Sequence, residues 1–342
     1  GTLFGKNSTG GVVHIITQQP TEEHSGEVMA SVLSDDEYRA GFTLSGPVTD
    51  TLGYRLTASG SDVDGYTKNH FDGDYYNGSE RWTARGKLRW LPTENIDVVF
   101  SADYSDQKCD CTVSAIRSLE PWDGNEEKVQ DILDLLDPVV PGEDNTYAKI
   151  DLVPNSESSQ WGSSLEVNWD VGNHTLTSIS AVRGFDIDGN SSDDYDGQPV
   201  VVIGLAQVGD TSQDQFTQEL RITSPDDDHF TYVAGLFYFD QTVDRDYSRS
   251  LDLGLPNNPA GLAEFSADTT NWAAFGEATW ACSDSWRLIF GGRYTEEVLS
   301  YDFRRSREGL PIGIPVPVEP SSDSTDEDDF SGKLALQWDF SE

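Results

Sequence analysis

Arg81-Trp82-Thr83-Ala84-Arg85-Gly86-Lys87-Leu88-Arg89-Trp90 is the stretch on which the fold turns. Taken with a period of two, Trp82, Ala84, Gly86, Leu88 and Trp90 share one face, and Arg81, Thr83, Arg85, Lys87 and Arg89 share the other. A strand half-buried in a soluble core also alternates, but such a strand does not usually place an indole at each end of its apolar face. Eight residues of strand span roughly 26 Å. Tilted by about 40°, they cover roughly 20 Å along a membrane normal, close to the apolar band of a membrane β-barrel with its aromatic girdles. The Trp face is therefore read as facing lipid and the Arg/Lys face as lining a wet lumen.

The pattern recurs. Trp161, Ser163, Leu165, Val167 and Trp169 oppose Gly162, Ser164, Glu166, Asn168 and Asp170. Trp272 to Trp280 and Trp286 to Tyr294 repeat the spacing, and Ile96, Val98, Phe100, Ala102 and Tyr104 oppose Asp97, Ser101 and Asp103. The expected membrane girdle is Trp82, Trp90, Trp161, Trp169, Trp272, Trp280, Trp286 and Tyr294. The fold class is thus all-β: a transmembrane, antiparallel, up-and-down β-barrel.

The chain has 342 residues and a net charge of −39, which argues against nucleic acid as a partner because phosphates would be repelled. No apolar run approaches the length of a membrane-spanning helix, and a barrel strand needs none. The sequence opens at Gly1 with no leader, and since a barrel must be exported, cleavage or truncation is the expectation.

Residues 1–17 read Gly-Thr-Leu-Phe-Gly-Lys-Asn-Ser-Thr-Gly-Gly-Val-Val-His-Ile-Ile-Thr. The set Gly1, Thr2, Leu3, Phe4, Gly5, Asn7, Gly10 and Gly11, followed by the strand Val12 to Thr17, resembles the end of the plug domain of TonB-dependent outer-membrane receptors. Gln218-Glu219-Leu220-Arg221-Ile222 and Trp272-Ala273-Ala274-Phe275-Gly276-Glu277 resemble that family too. A phosphate-cradling loop is the rival for Gly5-Lys6-Asn7-Ser8, but Asn follows the Lys where that motif needs Ser or Thr.

The resemblance implies a plug ending near residue 22 and a barrel from residue 23 to residue 342. The family's barrel has about 22 strands. It implies a receptor in the outer membrane of a Gram-negative bacterium, surrounded by outer-membrane lipid, that imports a scarce nutrient. Import would be driven by the TonB–ExbB–ExbD complex acting on a segment before Gly1. A ferric siderophore is the commonest cargo; cobalamin, haem and oligosaccharides are the others. It implies neither a cofactor nor an enzymatic activity. A plug-free porin or adhesion barrel, and a soluble glycan-binding β-protein with exposed Trp, are the competing readings.

Punctuation by Gly, Pro, Asn, Asp and Ser gives about twelve strands, near 26–34, 37–46, 51–60, 80–91, 95–106, 159–170, 174–186, 212–223, 229–242, 270–281, 285–300 and 331–341. That is roughly half a receptor, and a half-barrel would leave two unpaired edges in lipid. The register of 174–186 stays open, because neither face is consistently apolar. Short turns alternate with long polar connections expected at 61–79, 107–158, 187–210, 244–269 and 301–329, the last holding the acids Asp323 to Asp329.

Within the longest connection, Val129, Ile132, Leu133 and Leu136 have helical spacing that Pro138 stops, which suits either a lid over the mouth or a helix that only packs its own loop. Cys109 and Cys111 lie in the same connection and could form a local disulfide; Cys282 is expected in the short periplasmic turn Cys282-Ser283-Asp284, far from both. Asp186-Ile187-Asp188-Gly189-Asn190 and Asp193-Asp194-Tyr195-Asp196 resemble calcium ligands but lack the closing Glu, so no metal site is assigned. His14, His24, His70, His174 and His229 are scattered and form no catalytic set. Arg81, Arg85, Lys87 and Arg89, with Arg287 and Arg293, are the lumen cations that could attract an anionic chelate. They could equally pair with Asp97, Asp103 and Glu166 or with the plug.

Overall fold

The computed structural model describes residues 13–34, 36–110, 113–120, 126–151, 153–193, 204–226, 229–252, 260–283, 285–308 and 317–340. In chain order the elements are β1 (Ser25–Leu33), β2 (Glu37–Thr49), β3 (Leu52–Val63), β4 (Thr67–Asn69), β5 (Tyr75–Tyr76), β6 (Ser79–Thr93) and β7 (Ile96–Cys109). After these come α1 (Glu126–Leu136), β8 (Tyr147–Ala148), β9 (Asn155–Val171), β10 (His174–Asp193), β11 (Gly204–Thr223) and β12 (Phe230–Asp252). The last three are β13 (Ala260–Ser283), β14 (Trp286–Glu308) and β15 (Val318–Trp338). Twelve of the strands form one sheet in the order β1-β2-β3-β6-β7-β9-β10-β11-β12-β13-β14-β15, every pair antiparallel. Among the described residues β1 and β15 have no strand beyond them.

Residues opposite each other in an antiparallel ladder point to the same face, so the register shows how one face runs across the sheet. Leu88 stands opposite Phe100, and Phe100 opposite Leu165. Phe230 stands opposite Trp280, Trp280 opposite Leu288, and Leu288 opposite Leu336. This face carries the large apolar side chains, and it is exposed: the eight girdle aromatics keep between 37% and 50% of their surface. They are not packed in a core. Their rings touch laterally, Trp82 with Tyr104 at 4.9 Å, Trp272 with Tyr294 at 5.7 Å and Trp286 stacked on Trp338 at 5.1 Å. Much of the buried set, Val99, Phe239, Ala273 and Phe275 with Lys87, Asn271 and Arg293, lies instead on the opposite face. A sheet with exposed indoles on one face and buried cations, Lys87 and Arg293, on the other suits lipid on one side and a polar interior on the other.

The register also settles β10. Leu176 and Val182 point to lipid with Ser178 and Ser180 between them, while Ile179 faces inward opposite Glu166 and Glu219. Two serines in the middle of the lipid face are what blurred the alternation.

The outer connections differ from expectation. Those placed at 187–210, 244–269 and 301–329 shrink to 194–203, 253–259 and 309–317, because β10 to β15 run on for 20 to 24 residues each. Beyond the lipid both faces of a strand are wet, so the apolar/polar alternation disappears. The ladder nevertheless continues, because neighbouring strands still satisfy each other's backbone groups. Asp323 to Asp329 therefore lie on β15, paired with residues 295–301 of β14, rather than in a loop.

Above the first strands the chain builds a cap. β4, β5 and β8 form a three-stranded sheet in the order β5-β4-β8, with β4 and β8 parallel. Val113, Ala148 and Ile150 make its small core, with Tyr76 packed against it. The helix α1 falls where the spacing places it, with Leu136 and Val139 buried; Lys149 Nζ donates to the Leu135 and Asp137 carbonyls at 2.9 and 2.7 Å and satisfies its C-terminal end. Lys149 thus ties the end of α1 to the later part of the same connection.

Candidate functional site

The inner face is built by the same alternation that builds the outer one. On β6 every odd residue from Arg81 to Arg89 points inward, because the even ones are taken by lipid. A row of cations on one strand repels itself unless something intervenes, and the structure supplies partners in three ways.

Arg89 Nε donates to both oxygens of Asp97 at 3.1 Å and its Nη2 donates to Oδ2 at 2.8 Å, a fork across the β6–β7 hairpin. Arg85 reaches Asp103 at 3.4 Å, and Arg183 of β10 approaches the same carboxylate at 3.4 Å. Lys87 is 7% exposed; its Nζ donates to the Thr17 carbonyl at 3.1 Å, the Thr17 hydroxyl at 2.8 Å and the Gln18 carbonyl at 3.2 Å. Arg81, at the outer end of the row opposite Ser61 and Gln107, forms no ion pair among the described residues.

The Lys87 contacts belong to a wider seam. Arg55 donates to the Gln18 side chain, the Thr21 N–H donates to the buried Ser45 hydroxyl at 2.9 Å, and Pro20 lies over Gly53, where an added Cβ would sit 2.9 Å from the Pro20 ring. Residues 17–21 thus run along the inner wall of β2, β3 and β6 before β1 begins. Farther round, Glu277 accepts from Lys333 at 2.9 Å, Glu219 from Arg221 at 3.2 Å and Glu166 from Asn168 at 2.8 Å.

The cap is held by two asparagines. Asn69, fully buried, donates to the Ile150 carbonyl at 2.8 Å and accepts from the Ile150 N–H at 3.0 Å, tying the two outer connections together. Asn77, in the left-handed region at φ 70°, does the same for Val113 at 2.8 Å in both directions. Beside them Asp72 accepts from the Tyr76 hydroxyl at 2.6 Å.

Among residues singled out from sequence, Gly1 to Gly11 and Cys111 lie outside the described residues, and Cys109 ends β7. Cys282, expected in a turn, is a free, exposed thiol within the last residues of β13, because that strand runs on to Ser283. Asp186 and Asp188 sit on β10, on one face of an extended strand. Arg183, Arg55 and the two cap asparagines were not singled out. Arg183 is placed only by the register of β10, whereas the Asn77-Gly78 dipeptide is a turn signal in the sequence itself.

Residues 119–342, more than half of the chain, match the family described as TonB dependent receptor-like, beta-barrel. The chain belongs to the TonB-dependent receptors. It is 42% identical over 77 residues to the pesticin receptor of Yersinia pestis, covering 22% of this chain and 10% of that protein. It is 31% identical over 119 residues to the ferric enterobactin receptor PirA of Pseudomonas aeruginosa, covering 30% of this chain and 16% of that protein. In structure it resembles the ferric yersiniabactin uptake receptor FyuA from Yersinia pestis, with TM-score 0.75 and 21% identity over 98% of this chain and 47% of that one. The ferric-catecholate import receptor Fiu of E. coli aligns with TM-score 0.69 and 14% identity over 95% of this chain and 54% of that one.

The chain therefore spans about half the length of these solved receptors, and less of the curated relatives in the aligned stretches. TonB-dependent receptors are outer-membrane proteins of Gram-negative bacteria, and this one exposes a face rich in aromatic side chains. The neighbouring proteins are transport receptors.

Proposed function

We propose that this TonB-dependent receptor imports a ferric siderophore, driven by the TonB–ExbB–ExbD complex acting through a plug that ends near residue 22. The observation that carries the reading is the inner wall: on a chain of net charge −39, the cations of β6 are gathered on the lumen face, where an anionic chelate would pass. The names of the relatives, receptors for enterobactin and pyoverdine iron complexes, support the same cargo class.

In this reading Arg81 is the member of the set Arg81, Arg85, Lys87 and Arg89 best placed to meet cargo, followed by Arg85, whose 3.4 Å contact to Asp103 is shared with Arg183. Lys87 and Arg89 already commit their donors to the segment at residues 17–18 and to Asp97. Lys87 then ties the plug-to-barrel segment to the wall, and Cys109 with Cys111 would brace the rim of the cap.

The test is uptake of radioactive iron by cells carrying or lacking the full-length receptor. The expected result is iron accumulation from at least one ferric siderophore that requires both the receptor and a functional TonB. Equal iron accumulation with and without the receptor for every chelate supplied would remove the cargo assignment. Growth on an oligosaccharide or cobalamin that depends on the receptor would replace it.

A further inference from the structure

The girdle face is not evenly filled. Across β9 to β13 it is indented by a groove of about 670 Å³ lined almost wholly by apolar atoms. Small side chains open it: Ser178 on β10, Ala234 on β12 and Ala274 on β13. Trp169, Leu176, Leu220 and Leu236, all exposed, stand around them.

The register gives the course of the groove. Trp169 stands opposite Leu176, Leu176 opposite Ile222, Ile222 opposite Ala234 and Ala234 opposite Gly276. Trp169 is the girdle ring beside the short turn after β9, whereas Gly276 is midway between the two rings of the β13 stripe, Trp272 and Trp280. A row of ladder partners that starts at the rim on β9 thus ends at mid-belt on β13, four residues short of Trp280. Four residues are about 13 Å and four strand spacings about 19 Å, a tilt of about 35°, which is that of a barrel wall. Along this incline the groove rises about 11 Å, close to half of an apolar belt roughly 25 Å tall. It covers one leaflet, from the interface on the short-turn side to the middle of the membrane.

A hollow facing hydrocarbon forfeits the dispersion contacts of its lining unless something enters it. Lipid tails are as apolar as leucine, so what enters is selected by fit. The sheet of a second copy would rest on the protruding leucines and leave the floor empty, whereas a flexible chain reaches the floor. Ser178 Oγ already accepts from Gln218 Nε2 at 3.1 Å, which leaves that floor suited to methylene groups. At the rim end, Trp169 supplies an amphipathic ring of the kind that sits at headgroup level.

We propose that this groove seats one acyl chain of a phospholipid from the leaflet on the short-turn side, entering beside Trp169 and ending over Ala234 and Ala274. The seat rests on the girdle face meeting lipid and is independent of the cargo.

The full-length receptor is reconstituted into phosphatidylethanolamine–phosphatidylglycerol vesicles doped with a phospholipid that carries a photoreactive diazirine at the end of one acyl chain. After illumination, the labelled residues are mapped by mass spectrometry. Label at residues 234–236 and 274–276 should exceed that at residues 98–102, the middle of the β7 stripe, by about tenfold. Ala234→Phe and Ala274→Leu each fill the groove and should remove the excess. Ala102→Phe, on the same face outside the groove, should leave it unchanged. Migration on unheated gels verifies that each variant has folded.

Equal label at residues 234–236 and 98–102 in the wild type overturns the seat. So does an excess that survives both filling substitutions, or one that is lost equally in Ala102→Phe. Cross-linked dimers joined through residues 234–236, with lipid label missing there, give the groove to a second copy instead. Label on the lumen residues of β11 and β12 with none on the girdle face would remove the lipid reading of the sheet as well.

Discussion

Asn69 shows how much one side chain can organise when it is short, buried and doubly bonded. Its amide joins two outer connections that are 81 residues apart in sequence through the backbone of Ile150. Removing it leaves a buried N–H and a buried carbonyl without partners, and each such group costs about 1–3 kcal/mol. Asn69→Ala should therefore open the cap while leaving the barrel intact. Hydrogen exchange would show faster amides at residues 67–76 and 147–151 and unchanged protection in β6 and β7; uniform exchange across both would refute it. The neighbouring Asp72–Tyr76 pair adds a pH dependence. Burial pushes the Asp72 carboxyl up, but the Tyr76 hydroxyl, the Asp74 N–H and the Asn69 amide outweigh it and hold it below its ordinary 3.8. Burial, then the bond to Asp72 and its charge, pushes the Tyr76 phenol above its ordinary 10.0. A lowered acid stabilises the fold above its unfolded value and loses that effect as pH falls through the folded one. A raised phenol stabilises below its unfolded value and loses that effect as pH rises through the folded one. The cap should hold between those limits and loosen outside them. In a spectrophotometric titration at high pH, Tyr76→Phe should remove one late-ionising tyrosine from the curve.

Strands are legible from sequence only where lipid lies on one side of them. Trp82 to Trp90 and Trp161 to Trp169 announced themselves because lipid demands an apolar residue at every second position and the membrane interface favours rings at both ends. The outer halves of β10 to β15 did not, because water on both faces imposes no alternation, and only the continuing ladder keeps them extended. The helix α1 was readable from its 3.6-residue stripe, while the cap sheet was not, since β4, β5 and β8 are two or three residues long. At the inner wall, the cations could be read from β6 alone, but their partners could not. Arg183 shares Asp103 with Arg85 from three strands away, and Lys87 meets a segment 70 residues earlier. The two faces of β9 offer a direct check. Leu165 lies at the middle of its lipid stripe and Ser164 beside it faces the lumen. Leu165→Arg should cost about 2–4 kcal/mol of barrel stability, with Ser164→Arg far milder. The measurement is the folded fraction on unheated gels after refolding into lipid over a urea series. Equal cost at the two positions would mean that the faces have been assigned wrongly.

At the scale of the whole molecule, charge is the term most open to control. Asp188, Asp210 and Asp246 stand directly opposite one another on β10, β11 and β12, and Glu264 follows on β13. All four are on the side of the sheet that carries the girdle, beyond it. Like charges directly opposite across a ladder destabilise it. Burial, then the charge and hydrogen bond of Asp188 and the charge of Asp246, pushes the Asp210 carboxyl above its ordinary 3.8. A carboxyl raised in the folded state stabilises fully below its unfolded value, and that contribution is lost as pH rises through the folded one, so at neutral pH this wall works against itself. With a net charge of −39 spread over the molecule, the effect extends beyond these four groups. Salt shortens the reach of the repulsion from about 10 Å at 0.1 M to about 3 Å at 1 M. Raising sodium chloride over that range should therefore raise the unfolding midpoint by several degrees. Asp210→Asn should raise the midpoint at the lower salt and shrink the increment, and at pH 4 the increment should fall further for both proteins. Differential scanning calorimetry in a non-ionic detergent measures all three. A midpoint that is flat or falling with salt would show that the paired charges of the inner wall, which salt weakens, outweigh the repulsion of the outer one.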